Sequence, residues 1–225
     1  MEIKIKDRSV NNMMAIIAVA IYFISFAFYL YFYRIEKNVD LAFLFKPIII
    51  PSIAFAYFFL TKNTFYFINI FLFLVVYFAD NLILLQDRSL YVFSTYLYLI
   101  SVAILCHYVV VDSKIFDRKP FIKKMYPYFL FILLLSVLVV KIYNYIYELP
   151  FKEVYLIGLY VFLFLTLLVL TIFNVFINRS IASKFLLGTI LSLFVSDIFI
   201  AVNNYYFKND LLIYVACMIE IPVYY

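Results

Sequence analysis

Along its length the chain alternates apolar runs of about 20 residues with short polar connectors. The runs are Met13–Tyr33, Leu41–Leu60, Phe65–Leu85, Leu90–Val111, Tyr126–Ile146, Val154–Ile177, Lys184–Tyr206 and Leu211–Tyr225. At ~1.5 Å per residue, a helical run of that length matches a ~30 Å hydrocarbon core. The connectors RIEKNVD, TKNT, QDRS, DSKIFDRKPFIKKM, YELPFKE, NRSIAS and FKND are short, so neighbouring helices must run antiparallel. The pattern predicts an all-α, polytopic membrane helix bundle of about eight spans, one transmembrane domain over 1–225, with residues 1–12 as a polar leading segment. The last run has only 15 residues. Either that helix ends inside the bilayer or the native chain continues past Tyr225. The first run follows a long polar stretch and precedes no small-residue cleavage site, so it reads as a retained helix rather than a removed signal.

Composition strengthens this reading. Of 225 residues, 68% are apolar and 14% charged, with a mean hydropathy of +1.08. A soluble domain cannot hide so much apolar surface. Trp is absent, so tyrosine must serve alone as the interfacial anchor. Cys106 and Cys217 both lie in apolar runs and read as packing residues. The single histidine, His107, excludes a multi-His metal site, and nothing calls for a metal or another cofactor. The residue style, poor in Gly and rich in Lys, Asn, Ile and Phe, suggests an AT-rich bacterial genome and hence an inner (plasma) membrane.

Charge orients the bundle. The side holding the N-terminus carries 11 Lys and Arg residues, among them Lys114, Arg118, Lys119, Lys123 and Lys124, against 6 opposite. Cytoplasmic loops hold the excess, so the N-terminus and the long fourth connector face the cytoplasm. The net charge of +5 then belongs to these loops and to anionic headgroups, and nucleic acid need not be invoked.

Ionisable groups at membrane depth carry most of the functional information, because each costs at least ~2.5–3.5 kcal/mol at a helix centre on insertion scales. They are Lys46, Asp80, His107, Asp197 and Glu220, accompanied by Asn69, Asn203, Asn204 and Tyr224. Measured from the extracytoplasmic ends of their helices, Lys46 lies about 8 Å deep, Asp80 about 9 Å, and Asp197 and Glu220 about 14 Å. His107 lies about 26 Å deep, near the cytoplasmic end. Four ionisable groups on four helices thus share one slab. With one positive and three potential negative charges there, at least one carboxyl must stay protonated, since burial and like charges both disfavour ionisation. By helical phase Asn69, Tyr77 and Asp80 share a face, as do Asp197 and Asn204, Glu220 and Tyr224, and Tyr96, Ala103 and His107. Such stacked polar residues are expected to face the bundle interior or a wet cavity. Plainer readings exist for each: Lys46 beside Pro47 satisfying backbone carbonyls, Asp80 reaching to water, Asp197 purely structural, Glu220 at a frayed end, His107 as a satisfied interfacial histidine. A small residue before Asp in both the third and seventh spans also suggests a parallel four-plus-four duplication.

Taken in order, these positions resemble the YhhN family, the membrane proteins that include lysoplasmalogenase. Lys46-Pro47 is similar to that family's Lys-Pro near the start of the second helix. Ala79-Asp80-Asn81-Leu82 resembles its Gly-Asp-x-x-Leu, with Ala in place of Gly, and Cys106-His107-Tyr108 its small-residue-His segment. Ser196-Asp197 with Ala201 and Asn203 resembles its Ser-Asp-x-x-Leu-Ala, and Glu220-Ile221-Pro222 its closing helix. The resemblance implies hydrolysis of the vinyl ether bond of a lysoplasmalogen to a fatty aldehyde and a glycerophospho-alcohol. It makes the membrane bilayer and a lipid or lysolipid substrate the partners. A vinyl ether is cleaved when an acid protonates its outer vinyl carbon and water attacks the oxocarbenium ion, so one carboxylic acid and one carboxylate are wanted. Asp197 is the expected acid and Asp80 the expected carboxylate. Lys46, His107, Asn203, Asn204, Glu220 and Tyr224 are the expected substrate-binding or supporting residues. Lys46 would pair with Asp80 or meet the phosphate, and Asn203 or Asn204 would hold the glycerol hydroxyl. Two other classes remain open on the residues alone: a small-solute or proton-coupled transporter, and a non-catalytic lipid-binding membrane protein.

Overall fold

The computed structural model describes residues 2–61, 66–85, 87–113, 119–147, 151–203 and 209–220. Its elements are α1 (Glu2–Leu30), extended by a π-helical turn (Tyr31–Ile35), α2 (Val39–Leu60), α3 (Phe67–Ile83), α4 (Arg88–Ser113), α5 (Lys119–Tyr147), α6 (Phe151–Asn178), α7 (Ile181–Val202) and α8 (Asp210–Glu220). No strand occurs among the described residues. Among the described residues, four stretches are long and apolar enough to cross a membrane: Val10–Tyr33, Val39–Leu60, Arg88–Ser113 and Val154–Asn178. Three shorter apolar stretches, Phe67–Ile83, Tyr126–Lys141 and Ile181–Ser196, stand beside them. The protein is thus a helical membrane protein, and its surface agrees. Ile16, Phe131 and Phe176 are 69%, 62% and 70% exposed, which lipid accepts and water penalises by about 25 cal/mol per Å².

Two helices begin well before the apolar pattern predicts. α1 starts at Glu2 because nothing in the polar leading segment breaks a helix: it contains neither Gly nor Pro. α5 starts at Lys119, inside the expected fourth connector. Pro120 explains this start, since a proline in the first turn gives up an N–H that has no intrahelical partner anyway.

Contacts divide the chain into two compact units, Met1–Gln86 with Ser192–Tyr225, and Asp87–Leu191. This division cuts through α7 and does not follow the four-plus-four halves that the repeated Asp suggested. In the first unit α1 packs on α2 and α2 on α3. α1 contributes an aromatic stripe, Tyr22, Phe26, Tyr29 and Tyr33, at helical spacing. The first two are fully buried, and Ala42, Ile49, Ile50 and Leu84 complete the core. α1 leaves by its π-helical turn and by Lys37 in the left-handed region at φ 54°. Asn38 then caps α2, its Oδ1 accepting the Leu41 N–H at 3.1 Å. α2 carries Pro47 and Pro51 inside its length. Each deprives the carbonyl four residues earlier of its N–H, and Ser52 Oγ donates to the Ile48 carbonyl at 2.7 Å in the same stretch.

In the second unit α4 and α5 both pack on α6. The α6–α7 turn uses two residues: Arg179 stops α6 at φ 50°, and Ser180 starts α7 by accepting the Ser183 N–H at 3.0 Å. The two glycines give opposite expectations. A Cβ on Gly158 would come within 2.7 Å of the Val140 side chain, where α5 crosses α6. Gly158→Ala should therefore destabilise by about 1–3 kcal/mol, because valine is stiff and must shift. A Cβ on Gly188 meets nothing within 4 Å. Gly188→Ala should stabilise by about 0.4–1 kcal/mol through helix propensity. Unfolding in detergent of the two variants beside wild type checks the difference in sign.

Asp87 opens α4. Its Oδ1 accepts the Ser89 hydroxyl, the Ser89 N–H at 2.8 Å and the Leu90 N–H at 3.2 Å. The Ser89 hydroxyl, then the Leu90 and Ser89 backbone N–H groups, lower its carboxyl from the ordinary aspartate value. Because the folded value lies below the unfolded one, the stabilisation is present above the ordinary aspartate range and fades as pH falls through the lowered folded value. The melting-temperature gap between wild type and Asp87→Ala should thus be open at neutral pH and narrow in acid.

Candidate functional site

The polar residues of the first unit organise around the α2–α3 pair. Lys46 Nζ lies 3.4 Å from Asp80 Oδ2, with the two side chains only 8% and 3% exposed. One end of the pair of helices is thereby closed by charge. Towards the other end, Asn69 Nδ2 donates to the Tyr57 hydroxyl at 2.5 Å. Lys46 to Tyr57 and Asn69 to Asp80 are both eleven residues, so the two contacts fit a single antiparallel register about three turns, or roughly 16 Å, apart. The shared face expected for Asn69, Tyr77 and Asp80 is the face that meets α2. Ala79, where the resemblance would have Gly, is fully buried.

The Lys46 ammonium has a second neighbour that sequence reasoning missed. It sits over the Tyr29 ring, 4.4 Å from the centroid, within the range of a cation–π contact. Tyr29 itself is 9% exposed and stacks on Tyr33 with centroids 5.4 Å apart. A buried cation is therefore flanked by a carboxylate and an aromatic face from two other helices. Such a pair is costly to build in an apolar interior and depends on good geometry on both sides. The signal in the sequence was the aromatic stripe of α1, which reads equally well as packing.

The other expected residues are distributed as follows. Asn203 is 3% exposed, and its Oδ1 accepts the Asn209 N–H at 2.7 Å, bridging the two sides of the seventh connector. Ser196, next to Asp197, donates its buried hydroxyl to the Ala216 carbonyl at 3.1 Å and ties α7 to α8. Asp197 and Glu220 lie on α7 and α8, with side chains outside the described residues, as are Asn204 and Tyr224. His107 belongs to the second unit. Tyr96, Ala103 and His107 are all exposed, and α4 buries Ser94, Leu99, Val102 and Val109.

The second unit holds a polar cluster that was also missed. Asn174, 1% exposed, and Asn178 both donate to Asp112 Oδ2, at 3.0 and 3.1 Å. Asn178 also donates to Asn174 Oδ1 at 2.7 Å and to the Asp112 carbonyl at 3.1 Å. The cluster fastens the C-terminal ends of α4 and α6, so those helices run parallel. In sequence Asp112 opens a charged connector and Asn174 is a lone amide in an apolar run, and nothing local links them.

Among the described residues, no group of three or more His, Cys, Asp and Glu side chains is placed to hold a metal ion. Lys46 with Asp80 is consequently the candidate centre: a paired charge, shielded from solvent, beside an aromatic wall. Compared with known proteins, the chain matches no family model, and no curated protein or solved structure matches it significantly.

Proposed function

We propose that the protein is a membrane-embedded lipid hydrolase resembling lysoplasmalogenase, with eight spans and a cytoplasmic N-terminus in a bacterial inner membrane. The observation that carries the reading is the solvent-shielded Lys46–Asp80 pair at 3.4 Å. Ionisable groups maintained at membrane depth mark reaction or transport sites by default, since packing alone is served more cheaply by apolar residues. In the proposed reaction Asp197 gives its proton to the outer vinyl carbon of a lysoplasmalogen. Asp80, the carboxylate partner of Lys46, faces the oxocarbenium ion and takes a proton from the attacking water. The hemiacetal then collapses to a fatty aldehyde and a glycerophospho-alcohol, and proton return from Asp80 to Asp197 restores the site. Asn203, Asn204, Glu220, Tyr224 and His107 are proposed as supporting residues.

A proton-coupled transporter draws on the same buried pair and is the rival reading. The deciding experiment is aldehyde release from a lysoplasmalogen by the purified protein in detergent. Release establishes the hydrolase. Its absence in folded protein, together with solute uptake into vesicles driven by a proton gradient, establishes the rival. Absence of both leaves a lipid-binding role.

A further inference from the structure

We infer that Tyr29 is a positioning residue: its ring face, with Asp80, holds the Lys46 ammonium in place within the bundle. Lys46 Nζ is 3.4 Å from Asp80 Oδ2 and 4.4 Å from the Tyr29 centroid, and all three residues are buried. They come from α1, α2 and α3, so the ammonium is the point at which these helices are joined by charge.

Packing alone asks of position 29 only an apolar body of the right size. A cation at 4.4 Å asks for more, because the negative ring face offsets part of the desolvation of the ammonium. The surroundings orient that face. Tyr33 stacks on Tyr29 at an interplanar angle of 16°, and Phe26 meets it edge-on at 71°. Tyr33 lies in the π-helical turn Tyr31–Ile35, a local widening of the helix of the kind often found beside functional sites. The ring thus has two aromatic neighbours, and the lysine ammonium lies over it. A lysine side chain is long and flexible, and a ring face at its ammonium limits how far it can withdraw from Asp80.

The test reads Lys46 itself. Tyr29 is replaced by phenylalanine carrying none, one, two or three ring fluorines, which weakens the negative ring face stepwise at nearly constant shape. The acylation rate at residue 46 by a membrane-permeant amine reagent is followed by peptide mass spectrometry, in protein whose helix content matches wild type. Tyr29→Phe should label about as slowly as wild type. Successive fluorines should then raise the rate in steps, to about 2- to 30-fold overall. A flat series overturns the inference, because a ring that only fills space does not respond to fluorine.

For its functional consequence the inference rests on the hydrolase reading, and the two fail separately. A graded labelling series without aldehyde release from any form of the protein leaves Tyr29 as the positioning residue and removes the hydrolase. A flat series with full release by wild type does the reverse.

Discussion

Lys46→Met alone should lower the stability of the protein by about 3–5 kcal/mol, the usual cost of removing one member of a buried ion pair. The substitution keeps the length and apolar body of the side chain, so little packing is lost. What it leaves behind is Asp80, 3% exposed, without the Lys46 ammonium. The double variant Lys46→Met/Asp80→Leu should recover most of that loss, since well-packed apolar residues replace a buried pair at little or no cost. Denaturant unfolding in detergent, run as a double-mutant cycle with the exposed Lys184→Met as control, measures the coupling directly. A Lys46→Met variant as stable as Lys184→Met would show that the pair contributes nothing.

Asp197→Asn and Asp80→Asn should each reduce aldehyde release by about 10²–10⁴-fold, the span that general acid–base catalysis ordinarily contributes. Asparagine is close to isosteric with aspartate but neither gives nor takes the proton. The two variants nonetheless differ physically. Asp80→Asn leaves the Lys46 ammonium without its carboxylate and should lose stability as well as rate. The variants must therefore be assayed well below their unfolding transitions. The stable double variant Lys46→Met/Asp80→Leu supplies the control that separates these effects: it should be folded and inactive. If it released aldehyde at the wild-type rate, Asp80 would be removed from the reaction. Full release by Asp197→Asn would remove the proposed acid.

That stability and reaction should part company at one pair agrees with the energetics of burial. Charges in an apolar interior are poor stabilisers, and chains that keep them generally use them. The Asp112–Asn174–Asn178 cluster differs in kind. There the carboxylate meets amide donors at a helix end with two of its three members exposed, and the arrangement serves to hold α4 on α6.

Membrane embedding and all-helical structure were legible in the linear pattern, because an apolar run of about 20 residues is a local property that the bilayer reads directly. The coincidence of Lys46 and Asp80 was partly legible too. Depth along a helix follows from counting residues, and both counted to nearly the same level. Helix ends were misread where polar residues continue a helix without a breaker, as over Glu2–Asn12, and where a first-turn proline starts one inside a charged connector, as at Pro120.

The rest required the folded chain. That Tyr29 lies under Lys46, while Phe28 one residue earlier lies outward at 46% exposure, depends on how α1 is rotated against α2, and no single helix contains that information. His107 shows the same point from the other side: a polar residue can share a helical face with others and still be turned outward when the opposite face packs better. Asp112 and Asn174 lie 62 residues apart and meet only because α4 and α6 run parallel with their ends level. Side-chain identity and depth are written along one helix, but rotation, register and parallel packing are properties of pairs of helices, set by which surfaces interlock.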